Sequence, residues 1–159
     1  MILLTVGTQL PFDRFVRQVD EWAYKNSGVE ILAQIADGEY IPKHMQSVDY
    51  LYEEKYARAF NQASVVLAHA GMGTVINSLI ASKPVVVYPR KASLGEHRNE
   101  HQLATCNKLA NLKGCYVAYE SDELFQTLDE LSILEGGSIG PFANDDLLRT
   151  IDHFISNRV

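Results

Sequence analysis

The chain has 159 residues, 47% of them hydrophobic, 21% charged and 9% aromatic, with 14 basic against 20 acidic side chains and a net charge of −6. These proportions are those of a globular chain that can bury a core without staples, and they exclude collagen, coiled coil and disorder. An acidic chain with no basic run and no aromatic stacking platform is not built to grip nucleic acid. The length predicts one domain over residues 1–159, and if the chemistry needs a cleft between domains, a second chain supplies the other wall.

Residues 2–6 form a short apolar run closed by Gly7, with no basic segment before it. This predicts a buried strand and no signal peptide. No window approaches the roughly 18 uninterrupted apolar residues of a membrane span, so a soluble chain is expected. Residues 8–11 read as a loop. From Phe12, the positions Phe12, Phe15, Val16, Val19 and Trp22 recur at helical spacing until Asn26, Ser27 and Gly28 end the helix. Residues 29–35 predict a strand, 37–48 a polar loop with short extended pieces, and 53–63 a helix. Residues 64–68 (SVVLA) predict a strand, 74–82 a helix, and 84–88 (PVVVY) a further strand that Pro89 ends. A polar loop over 90–98 leads to a helix over 99–112, stopped near Gly114. A strand over 115–119 follows, then a helix through Leu131 with Ser121 as its N-cap. A glycine-rich loop over 136–141 precedes a closing helix over 144–155.

Strands and helices alternate, and the strands are continuous apolar runs. That pattern predicts a Rossmann-like α/β fold: an open, mostly parallel sheet with helices on both faces. Ligands in such sheets bind beyond the carboxyl ends of the strands. The loops after Val6, Ala68 and Tyr88 therefore draw attention.

The first stretch of interest is His69-Ala-Gly-Met-Gly-Thr74, at a strand-to-helix turn. Glycines there let backbone N–H groups approach an anion, and the helix N-terminus adds partial positive charge. It matches neither GxGxxG nor GxxxxGK[ST], and a plain tight turn is the structural alternative. The second stretch is Glu96-His-Arg-Asn-Glu-His-Gln102. His97 to His101 fits H-x-x-E-H, a zinc motif that needs both histidines on one helix face and a further ligand, for which Glu120, Glu123 and Glu135 are available. His97 falls at or before the helix start, so no metal site is expected; a solvated helix start or ligand contacts are the other readings. The third stretch, Gly7 to Asp13, reads either as an ordinary connection or as a further wall of the cleft. His44 and His153 read as solvated or capping residues. Cys106 and Cys115 have neither zinc nor disulfide spacing and predict two buried reduced thiols.

At these residues a family resemblance enters. Residues 64–110 resemble the donor-binding half of GT-B glycosyltransferases, in particular the family-28 C-terminal domain. The opening MILLTVGTQLPFDRFVRQVDEWA is similar to the small catalytic subunits of two-chain transferases of exopolysaccharide and dolichol-type assembly. The resemblance covers residues 1 to about 110 and continues more loosely to the end. It implies a UDP-sugar donor whose diphosphate is held by His69, Gly71, Met72, Gly73 and Thr74. Gly7 and Thr8 would approach from the cleft side. The ribose position is Asn77, where the family usually has glutamate. The acidic-plus-glutamine pair that contacts the donor sugar corresponds to His101-Gln102, with Glu100 or Glu96 as compensating acids.

The resemblance further implies inverting displacement of the nucleotide diphosphate with no bound metal or other cofactor, and the sequence holds no Asp-x-Asp. Candidates for the general base within the chain are His97, Glu96 and Asp13; the partner chain is another source. That partner would be a membrane-anchored, acceptor-binding subunit, with a lipid-linked saccharide acceptor, and it would recruit this cytoplasmic chain to the cytoplasmic face of the membrane. A homodimer of the isolated chain stays open. The alternative function is a non-catalytic nucleotide-sugar-binding or regulatory subunit, which Asn77 and the missing acid before Gln102 favour.

Overall fold

A strand such as Ile2-Leu-Leu-Thr5 has apolar side chains pointing both ways, so it is stable only with both faces covered. The computed structural model, which describes residues 1–139, covers them with helices. The elements run β1 (Ile2–Thr5), α1 (Asp13–Lys25), β2 (Ile31–Gln34), β3 (Gln46–Val48), α2 (Glu53–Gln62), β4 (Val65–His69), α3 (Met72–Ile80), β5 (Val85–Tyr88), α4 (His101–Leu109), β6 (Cys115–Val117) and α5 (Ser121–Asp129). Short 3-10 turns occupy Ala92–Leu94 and Leu131–Ile133. The helix expected over 144–155, with His153, lies outside the described residues.

All six strands are parallel, in the order β3-β2-β1-β4-β5-β6. This is the Rossmann order, and the chain reverses its direction of travel between β1 and β4. Alternate residues of each strand feed opposite layers. Leu4, Leu67 and Val86 face Phe15, Val19 and Leu128 of α1 and α5. Leu3, Val66 and Val85 face Phe60, Leu79 and Leu109 of α2, α3 and α4. Cys106 and Cys115 are buried free thiols in that second layer, their pKa values pushed up by burial to about 12 and about 11.

Four boundaries differ from expectation. The polar stretch 37–48 contains a true edge strand, β3, paired to β2 through Leu32↔Gln46. Helix α3 starts at Met72, so Gly73 and Thr74 lie inside its first turn. Helix α4 starts at His101, so Asn99 and Glu100 precede it. Glu120, not Ser121, is the N-cap of α5, and the Ser121 hydroxyl instead accepts a hydrogen bond from Gln18 Nε2 at 2.5 Å.

Candidate functional site

β1 and β4 lie side by side, with Thr5 opposite Ala68, so the loops that leave them meet at the switch point. Gly7 has φ +84°, a conformation that favours glycine, and a Cβ there would lie 2.6 Å from His69 Cε1. A Cβ on Gly71 would collide with His69 Nε2. The imidazole thus fills the gap between two loops, and both neighbours are glycine because nothing larger fits. Burial, and then the charge of Arg90, push the His69 pKa down to about 4, against a favourable contact with the Thr5 backbone. At neutral pH His69 is uncharged, with one N–H to give, and its Nδ1 has no hydrogen-bond partner among the described residues.

Gly71 is the N-cap of α3 and contributes no side-chain cap. The Val75 N–H bonds back to the Gly71 carbonyl at 3.4 Å. The N–H groups of Met72, Gly73 and Thr74 stand before that first bond and have no acceptor within the helix. They sit beside His69 at the mouth of a cleft of about 510 Å³. One wall is Thr5 to Leu10; the floor includes His69, Gly71, Gly73 and Thr74; the far side is Arg90, His97 and Gln102. Leu51, Glu53 and Tyr56 close it from the α2 side.

The three loops singled out in the sequence therefore meet in one cleft. Gly7, Thr8, His69, Gly71, Gly73, Thr74 and Gln102 all line it. Gln102 Oε1 accepts the Arg90 N–H at 3.0 Å, leaving its Nε2 free to donate. Other expected residues stand outside the lining. Met72 is 47% exposed at the helix start. Asn77 is exposed one turn along from Gly73, on the same helix face. Glu100 is exposed and accepts the Ser93 N–H at 3.2 Å, and the exposed His101 donates its backbone N–H to Asn99 Oδ1 at 3.2 Å.

A second hollow of about 420 Å³ adjoins the first and holds Asp13, Glu96 and His97; His97 borders both. Glu96 is gripped by Arg14, whose Nε and Nη2 donate to its two oxygens at 2.6 and 2.8 Å, and by the Lys91 N–H at 2.9 Å. Asp13 accepts the Glu39 N–H at 3.1 Å. The H-x-x-E-H stretch does not share one helix face, because His97 precedes α4 by four residues. Among the described residues no three His, Cys, Asp or Glu side chains gather as metal ligands would.

Two residues that shape the cleft were not singled out from sequence. Gln34 is buried, donates to Thr5 Oγ1 at 3.3 Å and the Gly7 carbonyl at 3.1 Å, and accepts the Leu51 N–H at 2.8 Å. Arg90 is 3% exposed and donates from Nη2 to the Val6 carbonyl at 2.8 Å and to the Leu10 carbonyl. Each had a signal: Gln34 is a long polar side chain inside the apolar run 31–36, and Arg90 one just after the run 85–89.

Comparison with known proteins finds similarity over most of the chain. The model of the glycosyltransferase family 28 C-terminal domain matches residues 1–133. The UDP-N-acetylglucosamine transferase subunit ALG13 of Mus musculus is 30% identical over 111 residues, which are 61% of this chain and 9% of that protein. The chain thus spans under a tenth of that curated relative's length. Among solved structures, the glycotransferase of kitacinnamycin superposes with a TM-score of 0.62 at 19% identity, covering 83% of this chain and 34% of that one. The solution structure of ALG13 superposes at 0.61 and 17% identity, covering 94% and 93%. MurG of Acinetobacter baumannii superposes at 0.55 and 21%, covering 83% and 42%. These structural likenesses are likenesses of fold: the chain has the fold of one half of a GT-B glycosyltransferase.

Proposed function

We propose, from the premise that the chain belongs to the glycosyltransferase family 28 C-terminal domain family, that its cleft binds a UDP-sugar and presents the anomeric carbon for transfer. The observation that carries this is the neutral imidazole of His69, held between Gly7 and Gly71 beside the uncapped N-terminus of α3. A diphosphate at that point receives backbone N–H groups, the positive end of the helix dipole and one imidazole N–H. Asn77 is the candidate for the ribose hydroxyls. Gln102 Nε2, with Glu100 and His101 beside it at the start of α4, is the candidate for the donor sugar.

Transfer then follows an inverting displacement. The acceptor hydroxyl oxygen bonds to the anomeric carbon as the bond from that carbon to the diphosphate oxygen breaks. The electron pair leaves with UDP, and the acceptor proton passes to a general base. Charge develops on the leaving diphosphate, where the α3 N–H groups already point. Of the candidate bases within this chain, Glu96 is engaged by Arg14, Asp13 accepts the Glu39 N–H on one oxygen while its other oxygen has no partner among the described residues, and His97, on the border of both hollows, has Nδ1 against Asn99; the partner chain is the other source.

Residues 1–159 act in this reading as one donor-binding domain. The acceptor wall comes from a membrane-anchored partner subunit that carries a lipid-linked saccharide on the cytoplasmic face. In support, the ALG13 relative is by name a subunit, and no helix among the described residues is long and apolar enough to cross a membrane. A second reading, a non-catalytic nucleotide-sugar-binding subunit, draws on Asn77 at the ribose position, which hydrogen-bonds a diol without charge.

The test is a calorimetric and thermal-shift titration with UDP against ADP and GDP, alone and with the co-expressed partner. A UDP-selective rise in melting temperature, lost in His69→Ala, is expected. Turnover of a UDP-sugar with the partner present separates enzyme from non-catalytic subunit. An equal response to all three nucleotides in both settings, or none, removes the donor reading.

A further inference from the structure

We infer that Arg90 is the fixed positive charge of the cleft, a buried cation whose counter-ion is the bound anion. This deepens the donor reading and rests on it only for the identity of that anion, a diphosphate.

Arg90 follows the proline that ends β5, and its side chain runs back under the β1–α1 loop. Its Nη2 donates to the carbonyls of Val6 at 2.8 Å, Leu10, and Pro11 at 3.4 Å, and its Cζ stands 4.9 Å from the Phe12 ring centroid. Its Nε has no partner among the described residues. None of these contacts is a carboxylate. The acid whose charge reaches it, Glu96, is bound through both oxygens to Arg14, so that pair is already neutral. Burial lowers the Arg90 pKa to about 10, which leaves the group charged at neutral pH.

A buried charge without a counter-charge is unfavourable. Carbonyl dipoles and the Phe12 ring offset part of that cost. The rest of the charge is felt in the cleft that Arg90 lines, where it is one cause of the depressed His69 pKa. Three elements of the same sign therefore converge there from separate parts of the chain: the α3 N-terminus, the His69 N–H and the Arg90 guanidinium. Among the described residues, Glu53 is the one carboxylate lining the cleft, and it stands on the α2 wall with Leu51 and Tyr56. An anion bridging His69 and Arg90 supplies the missing negative charge.

The experiment measures inorganic pyrophosphate and UDP binding by calorimetry, at fixed ionic strength, to the full chain and to Arg90→Met and Arg90→Lys. Loss of a charge-assisted contact weakens pyrophosphate binding about tenfold or more in Arg90→Met. Arg90→Lys keeps the charge but loses the three-carbonyl grip on the loop, and it retains affinity within about threefold if charge is what matters. In Arg90→Met the His69 imidazole, followed by NMR, titrates closer to its ordinary value. If Lys falls as far as Met, the residue acts by shaping the loop and the inference is wrong. It is equally wrong if neither variant changes pyrophosphate binding, or if the parent chain binds none. Should Arg90→Met not fold, the side-chain nitrogen resonances of Arg90 in the parent chain decide: they shift with pyrophosphate, and unmoved signals overturn the assignment. Pyrophosphate binding that depends on Arg90, without any preference for UDP over ADP and GDP, would sink the UDP-sugar reading and leave the anion site standing. UDP selectivity with pyrophosphate indifferent to Arg90 is the reverse.

Discussion

Arg14 Nε stands 2.6 Å from Glu96 Oε1, and this contact joins the first helix to the loop after β5 across 82 residues of sequence. The same guanidinium donates to the Pro89 carbonyl at 2.9 Å and lies 4.4 Å from the Tyr88 ring centroid. The side chains are only 20% and 13% exposed, so the pair is not a solvated surface bridge. The loop it fixes is the one that carries His97 to the cleft.

Glu96→Gln therefore tests two roles at once. Loss of a bidentate, mostly shielded pair costs about 1–2 kcal/mol, a fall of roughly 3–6 °C in melting temperature. Turnover with the partner present is expected to drop only severalfold, because Glu96 positions the loop. A loss above roughly a hundredfold, with stability little changed, would instead make Glu96 the general base.

Gly71→Ala isolates the seat of His69. Gly71 has φ −90°, which any residue adopts, so the backbone carries no strain on substitution. The new methyl meets His69 Nε2 and drives the imidazole out of its gap. Nucleotide binding is expected to weaken at least tenfold in calorimetry while the fold survives in circular dichroism. Gly7→Ala adds left-handed backbone strain at φ +84°, about 1–2 kcal/mol, to a similar collision, and is expected to be less stable than Gly71→Ala. Parent-like binding in Gly71→Ala would detach His69 from the site.

His69 also sets an acid limit on stability. Its folded pKa, about 4, lies below its ordinary value of 6.5. Between those values the unfolded chain takes a proton that the folded chain refuses, so the contribution is fully present above pH 6.5 and is lost as pH falls towards 4. The integrated loss is about 2–3 kcal/mol. Denaturant titrations at pH 7 and pH 4.5 are expected to show it, and His69→Gln flattens that interval. An unchanged slope in His69→Gln would mean that the imidazole charges freely in the fold.

The sheet was legible because its strands are short, continuous and apolar, and glycine or proline closes several of them. The loops that meet in the cleft were legible for the same reason: His69, Gly71 and Gly73 interrupt an apolar pattern at the carboxyl end of a parallel strand. Asn77, Glu100 and His101 were placed by resemblance, and here they lie outside the cleft's lining. What could not be read was long-range pairing. Nothing near Arg90 in sequence announces that its partners are the carbonyls of Val6, Leu10 and Pro11, or that Arg14 holds Glu96. Edge strand β3 was legible only as a short extended piece without a place in the sheet, because a sheet edge needs no apolar run; its burial is slight and its ladder is backbone. The N-cap of α5 escaped because Gln18, a residue of another helix, takes the Ser121 hydroxyl.

Asp20 marks a second acid limit, away from the cleft. It is 1% exposed, on the face of α1 that meets the loop before β3. Its carboxylate accepts the Tyr40 hydroxyl at 2.7 Å, the Lys43 N–H at 3.1 and 3.0 Å, and the His44 N–H at 2.7 Å. Burial works to raise its pKa, but the Lys43, Tyr40 and His44 donors outweigh it and hold the group below its ordinary 3.8. Burial and the same carboxylate push the Tyr40 hydroxyl up to about 12. The stabilisation is thus present above the ordinary carboxyl value and is lost as pH falls through the depressed one, below the interval governed by His69. Asp20→Ala leaves buried donors unpaired and is expected to cost about 3 kcal/mol, roughly 6–12 °C in melting temperature. It also frees residues 40–44, which hydrogen exchange at the Lys43 and His44 amides reads directly. Nucleotide binding at a temperature where the variant is folded should be unaffected, because no Asp20 contact reaches the His69 cleft. A binding defect there would show that the α1 anchor and the His69 cleft are coupled through the β1–α1 loop.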